Sequence, residues 1–176
     1  MGAGVRGLNG RPPLSSIAPV DARREAAGAS PQDAREEAIY REEIVVPNDV
    51  IDGNGHVNNV AYVQWMQDVA VRHFASIGGI DLMHAVGGTW VVRSHRIEYL
   101  AAAFAGDRIR ASTWVADIRR VRSLRRYEFV RPSDGAVLAR GETDWVFVDV
   151  GSGRPREIPA SIRHALTVVP DGEERG

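Results

Sequence analysis

Asp52-Gly53-Asn54-Gly55-His56-Val57-Asn58-Asn59 runs directly into Val60-Ala61-Tyr62-Val63-Gln64-Trp65. Its first eight residues hold two glycines, one carboxylate, three carboxamides and one imidazole. Such a stretch bends easily at its glycines and is too polar to bury. The adjoining segment has a different period. Val63, Met66, Ala70, Phe74 and Ile77 recur at steps of three and four, which predicts a helix from Val60 to about Ile77 with Asn58 or Asn59 as N-cap. Val60, Trp65 and Val69 widen the apolar stripe, so the helix is expected to be largely enclosed. Gln64, Asp68 and Arg72 leave one wet edge, and Gly78-Gly79 is expected to end the helix. A polar loop ending on a helix N-terminus can hold a carbonyl oxygen or an anion, because unpaired N–H groups and the positive helix end point there.

Outward from this helix the period changes to two. Ile39 to Val46 reads as a strand halted by Pro47, and Pro47-Asn48-Asp49 opens the loop. After Gly87-Gly88, strands are expected over Trp90–Leu100, Asp107–Ile118, Ser123–Arg131 and Val137–Val150. Arg119-Arg120-Val121-Arg122 joins the second and third of these. Pro132-Ser133-Asp134-Gly135 and Gly151-Ser152-Gly153 are turn signals. Pro159 to Leu166 is expected to form a closing helical turn. One long helix with a run of antiparallel strands excludes a doubly wound sheet and suggests an α+β sheet curled around that helix.

Residues 1–37 are read as a flexible N-terminal tail, 38–169 as the folded domain and 170–176 as a flexible C-terminal tail. Within the first tail, Ser30 could cap a short helix through Ala38. A targeting peptide is disfavoured by acidic residues such as Asp21 and Glu25, and a cytoplasmic protein is the default.

Composition removes several chemistries. All 22 basic residues are Arg, so neither a Schiff-base lysine nor a Walker-type lysine exists. There is no Cys, which excludes a thiol nucleophile, disulfides and a Cys-based zinc site. The net charge of −1 gives no reason to expect nucleic acid, and no run is apolar enough for a membrane span. Composition points to no cofactor, and Asp52 with His56 is too small a ligand set to imply a metal.

The loop residues each admit two roles. Asp52 could attack a thioester carbonyl or activate water, or it could cap the turn that Gly53 makes. Asn54 could position water or the carboxylate, or merely tolerate a left-handed backbone. His56 could polarise a carbonyl, transfer a proton or be structural. Asn58 and Asn59 read first as caps, with backbone N–H groups placed where an oxyanion hole would lie.

The same residues carry a family resemblance. Asp52-Gly53-Asn54-Gly55-His56-Val57-Asn58-Asn59-Val60-Ala61-Tyr62 resembles the Asp-x-x-Gly-His-Val-Asn-Asn-x-x-Tyr signature of hotdog-fold acyl-CoA thioesterases of the 4-hydroxybenzoyl-CoA thioesterase-like group. It is also similar to the Asp-x-Asn-x-His-Val-Asn-Asn stretch of plant acyl-ACP thioesterases. His95-Arg96-Ile97-Glu98-Tyr99 with Gly106-Asp107 resembles that superfamily's second strand and turn, and Gly141 to Asp149 with Gly153 to Pro159 its last strand and exit.

The resemblance implies a hotdog fold, a homodimer or a tetramer of paired dimers, and active sites at the subunit interface. It implies Asp52 as nucleophile or general base, Asn54 and His56 as its catalytic companions, and the N–H near Asn59 as the oxyanion donor. Three features depart from the pattern. Asp49-Val50-Ile51-Asp52 is one residue longer than the usual Asp-x-Asp, which makes Asp49 a second candidate carboxylate. Gln67 and Asp68 occupy helix positions where relatives often carry Glu. Ala102 falls where the plant enzymes carry an acidic helper.

For the substrate, Arg119, Arg120, Arg122 and Arg125 could bind coenzyme phosphates, or could keep a hairpin soluble. Tyr62, Trp65, Trp90 and Trp145 could line an acyl or aryl pocket, or fill the core. The leading expectation is an acyl-CoA thioesterase, less readily an acyl-ACP one. The alternatives are an enoyl-CoA hydratase or dehydratase of the same fold, or a non-catalytic acyl-CoA-binding protein.

Overall fold

In a computed structural model of the chain, residues 31–170 are described. The expectations placed on residues 1–30 and 171–176 lie outside them. The elements in chain order are α1 (Pro31–Glu37), β1 (Tyr40–Val45), α2 (Asn59–Ser76), α3 (Gly79–Ala85), β2 (Gly88–Tyr99), β3 (Arg108–Ile118), β4 (Arg122–Arg131), β5 (Ala136–Asp149) and α4 (Ala160–Ala165). A short 3-10 turn, Asn48–Val50, separates β1 from the loop.

The five strands form one antiparallel sheet in the order β1-β3-β4-β5-β2. Period-two alternation sorts their side chains. In β4, Ser123, Arg125, Tyr127 and Phe129 are buried, while Arg122, Leu124, Arg126 and Glu128 between them are half-buried. Bulges interrupt the ladders at Val92/Ser94, Val115/Asp117 and Phe129/Val130, which lets a twisted sheet curve.

α2 buries Ala61, Tyr62, Trp65, Met66, Val69, Ala70 and Phe74. The first six join Tyr127, Phe129, Leu138 and Ala139 of the sheet in one core cluster. A second cluster gathers Phe74, Val115, Phe147, Ile158 and Ile162, with Ile80, Leu82 and Met83 of α3 against it. Contacts this close leave no room for a Cβ at some positions. One built at Gly88 would lie 2.1 Å from the Phe147 ring, and one at Gly141 would lie 2.7 Å from Met66 Sδ.

Gly78, at φ 71°, ends α2 as expected, and Gly79 immediately starts α3, in a segment for which the sequence predicts no element. One expectation is corrected. Val60 does not belong to the enclosed stripe: it is 74% exposed in this single chain. The wet edge is as read, with Gln64 Nε2 donating to Asp68 at 2.8 Å and Arg72 paired to Glu42 at 2.7 Å.

Candidate active site

The loop is closed as a small hairpin. Asp52 N–H donates to the His56 carbonyl at 2.8 Å, Gly55 N–H to the Asp52 carbonyl at 3.0 Å, and Ile51 bridges Val57. Gly55 has φ 79°, a left-handed conformation that the turn requires and that a side chain would strain. Inside this hairpin the Asp52 carboxylate points back on its own backbone. Oδ1 accepts the Asn54 N–H at 2.8 Å and the His56 N–H at 3.3 Å. Oδ2 receives only a long 3.5 Å contact from Asn54 Nδ2 and is the freer oxygen. These donors, the Asn54 N–H foremost, hold the carboxyl below its ordinary value against a smaller opposing effect of desolvation.

The hairpin is tied to the helix by Asn58. Its Oδ1 accepts the Ala61 N–H at 2.8 Å, its Nδ2 donates to the Val50 carbonyl at 2.9 Å, and its backbone N–H donates to the same carbonyl. Asn58 is therefore the N-cap, and it also clamps the 3-10 turn. The Val57 N–H donates to Ala103, and the Tyr99 hydroxyl donates to the Asn59 carbonyl at 3.1 Å. Among the described residues, no acceptor takes the amides of Asn59 and Val60. They are first-turn donors of an 18-residue helix, the kind that bind developing negative charge.

Asp52, Asn54, His56 and Asn59 thus lie in one exposed hairpin at the start of α2. The imidazole of His56 stands edge-on to Phe104 at 5.2 Å, and no hydrogen bond joins its ring to the Asp52 carboxylate among the described residues. Asp49 sits exposed in the 3-10 turn on the other side of Val50. Tyr62 is core: 3% exposed, packed against Trp65, Tyr99 and Phe129, with burial pushing its hydroxyl up to about 12.

The four candidate arginines do not share a surface. Arg119 and Arg120 are exposed in the β3–β4 hairpin and pair with Asp117 and Glu157. Arg122 is bound to Asp144. Arg125 is 5% exposed on the buried side of the sheet. Its Nη1 meets His73 Nδ1 at 2.8 Å and Thr113 Oγ1 at 3.2 Å. Of the remaining aromatic candidates, Trp65 is core, while Trp90 and Trp145 line a cavity of about 200 Å³ under the second half of α2. Sequence reasoning missed this cavity and His73. The cavity is lined in part by Ile80 and Met83 of α3, for which the sequence shows no periodic signal, and His73 is singled out only by its contacts with Arg125 and Tyr40.

The family described as the Thioesterase-like superfamily matches residues 45–166, from the end of β1 to the end of α4. The chain belongs to this superfamily. The antiparallel sheet around α2 is the hotdog fold, and the protein is a thioester hydrolase. Solved structures of the same fold include a 1,4-dihydroxy-2-naphthoyl-CoA thioesterase from Synechocystis, 20% identical, TM-score 0.65, covering 72% of this chain and 94% of that one. A Staphylococcus aureus protein solved in complex with CoA is 18% identical, TM-score 0.68, covering 78% and 92%. The 12:0-ACP thioesterase from Umbellularia californica is 17% identical, TM-score 0.68, covering 78% of this chain and 54% of that one. A search of curated proteins gave no match.

Proposed function

We propose that the protein hydrolyses acyl-CoA thioesters at the Asp52 hairpin, releasing a free acid and CoA. The observation that carries this reading is the pairing of two opposite elements within one short loop. A carboxylate kept ionised by backbone donors sits in the hairpin that leads into a helix N-terminus whose Asn59 and Val60 amides have no acceptor among the described residues. In the reaction the thioester carbonyl oxygen accepts those amides. Asp52 Oδ2 either attacks the carbonyl carbon, giving an acyl-aspartyl anhydride that water then opens, or takes a proton from a water that attacks. In both routes the C–S bond breaks and the sulfur leaves as thiolate, to be protonated to free CoA. His56 and Asn54 line the same hairpin and orient the carbonyl and the carboxylate.

A CoA-bound solved structure of the same fold favours CoA as the carrier. Arg119 and Arg120, exposed in the hairpin between β3 and β4, are proposed to bind its phosphates; that hairpin lies at the opposite end of β3 from the Asp52 loop, so a second copy would have to present them. The proposed assembly is a homodimer. β2 is a 12-residue edge strand, and Val60, Tyr99, Leu100 and Phe104 expose apolar surface beside the loop, which a second copy would cover.

The test is thiol release from a panel of aliphatic and aromatic acyl-CoAs, run alongside hydration of an enoyl-CoA. Turnover on the thioesters without hydration is the expected result. Enoyl hydration without thiol release would overturn the reading, as would binding without turnover.

A further inference from the structure

The cavity under the second half of α2 holds a charge that none of the described residues balances. Arg125 is 5% exposed and has no carboxylate partner among the described residues. Its Nη1 is used by His73 and Thr113, whereas Nε and Nη2 bond to nothing among the described residues. The guanidinium lines the cavity, and none of the twelve lining residues is acidic. A buried cation without a counter-ion is costly, so the site is complementary to an anion supplied from outside. The groups around it agree. His73 stacks on Tyr40 at 5.4 Å, and burial, with the adjacent Arg125 charge, keeps the imidazole neutral down to about pH 4, so it does not compete for the anion. Ser123, buried beside Arg125, and Thr89 add hydroxyl donors on the same wall. Apart from Gln67 the remaining wall is apolar, with Phe74, Trp90, Trp145 and Met83.

Resting on the thioesterase reading, we propose that this cavity receives the far end of the acyl group, and that Arg125 selects acyl thioesters ending in a carboxylate. An apolar body would lie against Trp90 and Trp145, and the terminal carboxylate would take the free N–H groups of the guanidinium as a two-pronged pair. From Asn59 to Ala70 the helix rises ~16 Å, about three turns. A long diacid would span this distance within one chain, and a shorter one would be presented by a loop from a second copy.

The experiment compares adipoyl-, suberoyl- and dodecanedioyl-CoA with hexanoyl-, octanoyl- and dodecanoyl-CoA, and with an ω-hydroxy analogue of the best length. It uses the full chain and its Arg125→Met and Arg125→Lys variants. A carboxylate meeting a buried guanidinium should favour the diacid series by on the order of 10- to 100-fold in kcat/KM. Arg125→Met should collapse that ratio toward one, and Arg125→Lys should keep part of it. Met is of similar length and removes a buried charge, so the variant is expected to fold.

As a readout independent of turnover, free suberate should raise the melting temperature of the wild type, and in NMR it should move the His73 imidazole resonance. Thiol release with no diacid preference at any length would overturn this inference and leave the thioesterase reading standing. Equal rates for the ω-hydroxy and carboxyl substrates would overturn it too, since charge would then play no part. Suberate binding lost in Arg125→Met, with no thiol release from any substrate, would uphold the anion site and overturn the thioesterase reading.

Discussion

Asp52 Oδ1 accepts the backbone N–H of Asn54 at 2.8 Å, so the loop's carboxylate caps its own turn, while Asn58, six residues on, caps α2. The two roles proposed for this residue on sequence grounds are compatible, since one oxygen caps while the other receives only a long 3.5 Å contact from Asn54 Nδ2. The Asn54 N–H lowers the carboxyl from 3.8. A depressed value means that the carboxylate persists, with its contribution to stability, above 3.8, and that both are lost as pH falls through the lower folded value. A pH profile of kcat/KM should therefore show no acid limb above 3.8 that Asp52→Glu displaces. Such a limb would mean that the hairpin bonds are absent in solution.

Asn58 is the joint between loop and helix. Asn58→Ala removes the side-chain acceptor for Ala61 and the donor to Val50. The lost cap should cost about 1–2 kcal/mol in chemical denaturation. Activity should fall further than stability explains, because the 3-10 turn is no longer held against the first turn of α2. Asn58→Asp keeps the cap acceptor and should recover most of the stability.

His73 makes stability depend on pH in a known direction. Its folded value lies near 4 against 6.5 unfolded, through burial and the Arg125 charge. Its contribution is full above 6.5 and is lost as pH falls toward 4, because the unfolded chain then binds the proton and the folded chain does not. His73→Gln keeps an acceptor for Arg125 and should flatten the denaturation midpoint between these pH values. An unchanged slope would place the pH dependence elsewhere.

Gly88 has no space for a side chain. Gly88→Ala should destabilise by about 1–3 kcal/mol, since a methyl group meets the Phe147 ring at 2.1 Å and the ring is itself fully buried. Gly141→Ala, which meets the flexible Met66 side chain, should cost less. Reversed magnitudes in thermal melts would contradict the packing described.

The strands were legible because a half-buried sheet imposes period two, and the loop because glycines, carboxamides and a helix start coincide within a few residues. α3 was not, for a local reason. Gly78-Gly79 carries a stop signal, and the seven residues of α3 are too few to show helical period, so Ile80, Leu82 and Met83 only declare themselves by packing. The arginines were misleading in another way. Charge in a run reads as surface, yet alternation along β4 puts Arg122 beside Asp144 and turns Arg125 to the buried side. Val60 shows the limit of a helical stripe: it fits the apolar face by count, but the sheet of its own chain does not reach it.

Thioester cleavage at the Asp52 hairpin is tested most directly by Asp52→Asn, because the amide oxygen can still accept the Asn54 and His56 N–H groups and keep the hairpin closed. Thiol release from the best acyl-CoA of the panel should fall by at least about 100-fold, the usual contribution of a positioned acid or base, with the circular dichroism spectrum unchanged. Near wild-type kcat/KM in Asp52→Asn, paired with loss of activity in Asp49→Asn, would contradict this assignment and move the chemistry to the 3-10 turn.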